Sequence, residues 1–172
     1  MRPIPAFGVL FACLAVPAAA QTAVTAPVSL GGDVGIFAPF ESGSSGSLTG
    51  RFIADVYAWD RLGLRFAAGL ANPDLGDRPF GGRATMVYAT GGLIQRLNGS
   101  VYNPYLHGGV GIYRFSGDNS QTDLGLNFGA GFELQSPIRR TFLTPELTAY
   151  VISGDGPRFA LALTIGVHTK PR

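Results

Sequence analysis

The chain has 172 residues, a formal net charge of +2 and a single cysteine. That is enough for one domain with a full core, and too weak a charge, with no basic run, to select nucleic acid. Only 14% of residues are charged, against 25 glycines, so the chain lacks the coat of about 25–35% charged surface side chains that keeps an ordinary soluble domain dissolved.

The N-terminal stretch "MRPIPAFGVLFACLAVPAAAQ" has an early Arg2, an apolar run, and the small residues Ala18, Ala19 and Ala20 before Gln21. This layout predicts a secretory signal peptide over residues 1–20, cleaved after Ala20. The run is short and broken by Pro3, Pro5 and Pro17, which argues against a membrane anchor. Cys13 would leave with the leader, so the exported chain would have no disulfide framework. A short segment, residues 21–27, precedes a domain predicted over 28–172.

From residue 28 onward a period-two alternation recurs eight times, the mark of strands with one apolar and one polar face. The segments are "VSLGGDVGIFAPF" (28–40), "SLTGRFIADVYAW" (47–59), "LGLRFAAGLA" (62–71) and "ATMVYATGGLIQRLN" (84–98). They continue with "VYNPYLHGGVGIYRF" (101–115), "DLGLNFGAGFELQ" (123–135), "RTFLTPELTAYVIS" (140–153) and "FALALTIGVHT" (159–169). Glycines and β-branched residues argue against any helix beyond the leader.

The connections alternate in length. Those after the second, fourth and sixth segments are tight: Asp60-Arg61, Asn98-Gly99-Ser100 and Ser136-Pro137-Ile138. The others are "ESGSSG", "NPDLGDRPFGGR", "SGDNSQT" and "GDGPR", mostly longer. Short turns at one end and longer loops at the other describe an up-and-down antiparallel barrel of the outer-membrane kind, whose short turns are periplasmic. Asn98-Gly99 favours a two-residue type I′ turn, which would set Leu97 opposite Ser100, Gly92 opposite Tyr105 and Thr90 opposite His107. A three-residue loop of Trp59, Asp60 and Arg61 would set Asp55 directly across from Arg65.

The polar faces decide between a soluble barrel and an inside-out one. They carry small residues, among them Gly63, Ala67, Gly69, Ala160, Ala162, Thr164 and Gly166, which suit a crowded lumen and make a poor water-facing coat. Arg51, Arg65 and Arg96 share those faces with Asp33, Asp55, Glu133 and Glu146. An Arg facing lipid at the bilayer midplane costs about 2–4 kcal/mol, so these charges are predicted to form a compensating network inside. Phe40, Tyr102 and Phe159 fall near strand ends on the apolar face, where interfacial aromatics lie. The fold class predicted is all-β: an eight-stranded antiparallel up-and-down transmembrane β-barrel. A soluble lipocalin-like binding barrel is the alternative.

"NPYLHGGVGIYRF", "TDLGLNFGAGFELQSP" and "PELTAY" resemble the later strands of the eight-stranded outer-membrane β-barrel domain family, and "SLGGDVGIFAPF" its first strand. The group is similar to OmpA and OmpX barrels and to opacity-type surface proteins. The resemblance spans residues 28 to about 169 and carries no catalytic residue; one departure is the ending "GVHTKPR", where such barrels often finish on an aromatic residue read by the assembly machinery. It implies a bacterial outer-membrane location, insertion by the barrel-assembly machinery, and contact with outer-membrane lipids and lipopolysaccharide.

No catalytic motif of the G-x-S-x-G, H-E-x-x-H or P-loop type is present. The expectation is therefore a monomeric, non-enzymatic barrel with no cofactor, metal or nucleic-acid partner, and a structural or surface-interaction role. An eight-stranded lumen is filled by side chains, so no open pore is expected. The longest loop, residues 72–83, holds Arg78, Phe80 and Arg83, which could touch lipopolysaccharide phosphates or a partner, with a plain solvated loop as the preferred reading. The rivals are a lipid-modifying enzyme, for which His107 lacks an opposing serine, and a small-solute channel.

Overall fold

The computed structural model describes residues 27–40, 42–75, 82–97, 102–117, 120–154 and 159–169. The predicted leader, most of the segment before residue 28, and Asn98-Gly99-Ser100 lie outside the described residues. Eight strands follow in chain order: β1 Val28–Pro39, β2 Ser47–Tyr57, β3 Leu62–Ala71, β4 Thr85–Arg96, β5 Asn103–Ser116, β6 Ser120–Gln135, β7 Thr141–Ile152 and β8 Phe159–Thr169. Each pairs antiparallel with its sequence neighbours, and β1 also pairs with β8, so the sheet closes into a barrel.

The alternation sorts side chains between two solvents. On β2, Leu48 and Phe52 are 80% and 79% exposed on the outer wall, while Thr49, Arg51, Ile53 and Asp55 are buried inward. The other strands repeat the arrangement, with Val34, Ile36, Leu124, Leu126, Leu163 and Ile165 outside. A soluble protein does not expose a continuous apolar belt of that extent. Closure leaves no unpaired sheet edge, which is what a hydrocarbon solvent demands of a spanning strand structure. Strands of 10 to 16 residues meet the roughly 9–11 residues a tilted strand needs to cross. The fold is a transmembrane β-barrel.

The β4–β5 hairpin differs from the turn-based expectation. Arg96 pairs with Tyr105, Ile94 with His107, Gly92 with Gly109 and Thr90 with Gly111, a displacement of four residues. The Leu97 amide donates to the Pro104 carbonyl at 2.8 Å, so the connection is wider than a two-residue turn. An even displacement keeps every side chain on its predicted face and changes only the partners. Packing outweighs local turn preference here: Gly92 and Gly109 approach so closely that a Cβ on either would strike the facing strand's carbonyls.

The fifth connection also differs. Ser116 pairs with Ser120, so "SGDNSQT" is mostly strand and only residues 117–119 connect β5 to β6. Gln121 Nε2 donates to Asp123 Oδ1 at 2.7 Å on the inner face of that extension. At the other end, the β6–β7 connection begins with Ser136-Pro137, a pair suited to turn initiation. There the Ile138 amide donates to Ser136 Oγ at 3.1 Å and the Thr141 amide to the Ile138 carbonyl at 3.2 Å. Arg140 closes the turn at φ 66°, in the left-handed region. That conformation costs a side-chain-bearing residue about 1–2 kcal/mol, least for Asn. Arg140→Asn is therefore expected to raise stability by up to about 1 kcal/mol, measured by urea titration of the barrel in lipid vesicles.

Candidate functional site

The inner wall has two layers. Toward the end bearing the short turns lies a charge network, and its centre is Glu146 on β7, 2% exposed. Arg51 Nη2 donates to Glu146 Oε1 at 2.5 Å and Arg65 Nη1 to Oε2 at 2.6 Å. Thr148 Oγ1 donates to Oε1 at 2.6 Å, Tyr105 Oη to Oε2 at 2.7 Å, and His107 Nε2 stands 2.9 Å from Oε1. Each arginine has a second carboxylate. Asp33 lies across the ladder from Arg51 and accepts from its Nε at 2.9 Å and its Nη2 at 2.6 Å. Asp55 lies across from Arg65 and is held in a two-pronged pair, 2.8 and 2.9 Å. His168 Nε2 completes Asp33 at 2.7 Å from Oδ1. An ionised carboxylate only accepts, so Nε2 is the proton-bearing nitrogen of both imidazoles.

The five charged residues Asp33, Arg51, Asp55, Arg65 and Glu146 thus form one cluster, with both oxygens of every carboxylate bonded. It joins β1, β2, β3, β5, β7 and β8 across the barrel. Arg96 and Glu133 form a separate pair, 2.6 Å, linking β4 and β6. The Arg96 guanidinium lies over the Tyr57 ring at 4.0 Å from its centroid.

The second layer, toward the loop end, is aromatic. Tyr88, Tyr113 and Tyr150 pack with ring centroids 5.9 to 6.0 Å apart, and Phe37 meets Tyr150 at 5.7 Å. Phe115, Met86 and Leu75 are buried in the same cluster. The inner wall therefore carries large rings as well as the small residues singled out from the sequence. The two belong together, because several of the inward rings lie over a glycine on a neighbouring strand. A Cβ on Gly69 would stand 2.6 Å from the Tyr88 hydroxyl, and one on Gly131 2.5 Å from that of Tyr105. Tyr88, Tyr113 and Tyr150 occupy inward positions of the alternation but went unnamed in the sequence reading, which looked to charges and small residues. The bonds of Tyr105 and Thr148 to Glu146 and of Thr164 to Arg51 also went unforeseen, because these residues are uncharged.

Of the loop residues, Arg78 and Phe80 lie outside the described residues. Arg83 takes part in an isolated bridge with Asp74, which also bridges to Ser45, so the first two loops are tied together by backbone. His107 does not face Thr90. It lies between Ile94 and Gly129 on the neighbouring strands, and its imidazole meets Glu146 and Thr148. On the outer wall Phe40 and Phe159 touch at 5.5 Å at the loop end, and Tyr102 is exposed at the turn end. Among the described residues no group of three or more His, Cys, Asp or Glu is placed to hold a metal.

Breaking a buried ion pair by removing one partner typically costs about 3–5 kcal/mol, because the other charge is left stranded. Glu146→Leu is expected to destabilise the barrel by at least about 3 kcal/mol on that basis, read from urea titration in vesicles. In the double-mutant cycle of Asp55→Leu and Arg65→Leu, the pair should show a coupling of about 2 kcal/mol, with additive losses contradicting the pairing.

No family model matches the chain, and no curated protein matches it in sequence. Solved structures do match in shape. Neisserial surface protein A aligns with a TM-score of 0.68 at 17% identity, over 83% of this chain and 96% of that one. The N-terminal β-barrel domain of Pseudomonas aeruginosa OprF aligns at 0.54 and 14% identity, over 81% and 96%. The P. aeruginosa outer membrane protein OprG aligns at 0.56 and 12% identity, over 85% and 93%. The chain therefore has the fold of the eight-stranded outer-membrane β-barrels.

Proposed function

We propose that the protein is an integral barrel of a bacterial outer membrane with a plugged lumen, no enzymatic activity, and a structural or surface-interaction role. The observation that carries this reading is the buried layer of Phe37, Tyr88, Tyr113, Phe115 and Tyr150 stacked on the Glu146 network. Ions would have to cross both an apolar ring cluster and a saturated polar one. His107 is held within the network by a carboxylate and a threonine, which supports a structural part over a catalytic one. The network itself is read as a brace that joins opposite walls.

In this reading residues 1–20 are a leader cleaved after Ala20, and the barrel-assembly machinery inserts the chain as a monomer. The turn end lies in the periplasm and the loops face outward, at the level of the lipopolysaccharide. Membrane fractionation with boiled and unboiled gel samples tests location and fold together. A heat-modifiable band in the outer-membrane fraction is expected, whereas a periplasmic protein purified without detergent contradicts the proposal. In planar bilayers the purified barrel should give no steady single-channel steps; reproducible openings would favour the small-solute channel instead.

A further inference from the structure

One charged side chain breaks the rule that charges point inward. Arg114 on β5 is exposed on the outer wall, and it is the only charged residue facing outward from any described strand. No carboxylate among the described residues pairs with it. Its ladder partners are Val87 and Thr122. The next outward row toward the loops is Thr85, Ser116 and Ser120, three exposed hydroxyls on adjoining strands. The next outward row toward the midplane is Ala89, Ile112 and Leu124, followed by Gly91, Val110 and Leu126. Within four rows the wall passes from hydroxyl, through one guanidinium, to purely apolar. The hydrocarbon boundary therefore falls just below Arg114.

Directly beneath it the apolar wall is concave. Ala89 and Gly91 offer almost no side chain, and Phe66, Ile112, Leu124 and Val151 rise around them to border an open recess of about 760 Å³. A second recess of about 520 Å³ lies beside it between β5 and β8, lined by Phe128, Leu147 and Leu161. An unpaired cation at headgroup depth above two grooves in the hydrocarbon zone complements an anionic headgroup on several acyl chains.

We propose that this face binds one phosphorylated, multiply acylated lipid of the outer leaflet, of the lipid A class. Arg114 holds a phosphate, the Thr85, Ser116, Ser120 and Thr122 hydroxyls surround the headgroup, and acyl chains lie in the recesses. The site rests on the outer-membrane reading above and is distinct from the loop residues Arg78, Phe80 and Arg83.

The test uses the detergent-purified barrel and native mass spectrometry with bis-phosphorylated lipid A, its dephosphorylated form, phosphatidylglycerol and inorganic phosphate. Wild type should retain the phosphorylated lipid A, and Arg114→Gln should lose at least 10-fold in retention. Gly91→Leu fills the main recess and should lose as much. It should also fold, because a Cβ there meets only Phe66, at an ordinary 3.6 Å. Equal retention by wild type and both variants overturns the site, as does equal retention of dephosphorylated lipid A. Phosphatidylglycerol or inorganic phosphate binding as well as lipid A overturns the assignment of the ligand. Heat-modifiable mobility of each variant is recorded alongside, so that failure of the barrel reading is told apart from failure of the site.

Discussion

The structure depends on a carboxylate that is buried and yet fully bonded. Glu146 accepts hydrogen bonds from Arg51, Arg65, Tyr105 and Thr148 and meets His107. Apart from Thr148 on the same strand, these partners come from three other strands, β2, β3 and β5, and the two arginines loop back through Asp33 and Asp55. A charge in a low-dielectric interior is tolerable only with its partners in place, so the cluster forms as a whole or is costly as a whole. This ties the far walls of the barrel to one another, which the ladder hydrogen bonds between adjacent strands cannot do. It also orients the sheet: with these charges inside, the complementary row of each strand must be apolar and must meet lipid.

Glycine makes the arrangement possible in a lumen this narrow. The rings and the imidazoles need space that a full set of side chains would occupy. Inward glycines supply it, as where Gly131 lies under Tyr105, Gly69 under Tyr88 and Gly129 under His107. The unusual composition, poor in charge and rich in glycine, is thus a consequence of filling a small cylinder from inside. The aromatic layer above the charges draws on the same space, with Tyr88, Tyr113 and Tyr150 interlocking beside Gly69 and Gly125.

Much of this was legible in the sequence because a two-residue period is a strong signal when it repeats along every strand. Strand number, order and inward face all follow from it, and seven of the eight predicted segments end within two residues of the observed strands, β6 being extended by three, Ser120–Thr122. The opposition of Asp55 and Arg65 was also legible, since their connection is short enough to fix the register. The β4–β5 register was not. Asn98-Gly99 speaks for a tight turn, but the pairing is set by close backbone approach at Gly92 and Gly109 and by the strands on either side. That the inward charges compensate one another was legible, but which of them meet across the lumen was not, because no local spacing relates Glu146 to Arg65.

The direction in which the two faces point is most directly tested with tryptophan reporters placed in a Trp59→Phe background. In vesicles containing lipids brominated at mid-chain, Phe52→Trp should be strongly quenched and Tyr150→Trp should be spared. Equal quenching at the two sites, or quenching at position 150 alone, would contradict an apolar wall facing hydrocarbon around a closed polar and aromatic interior.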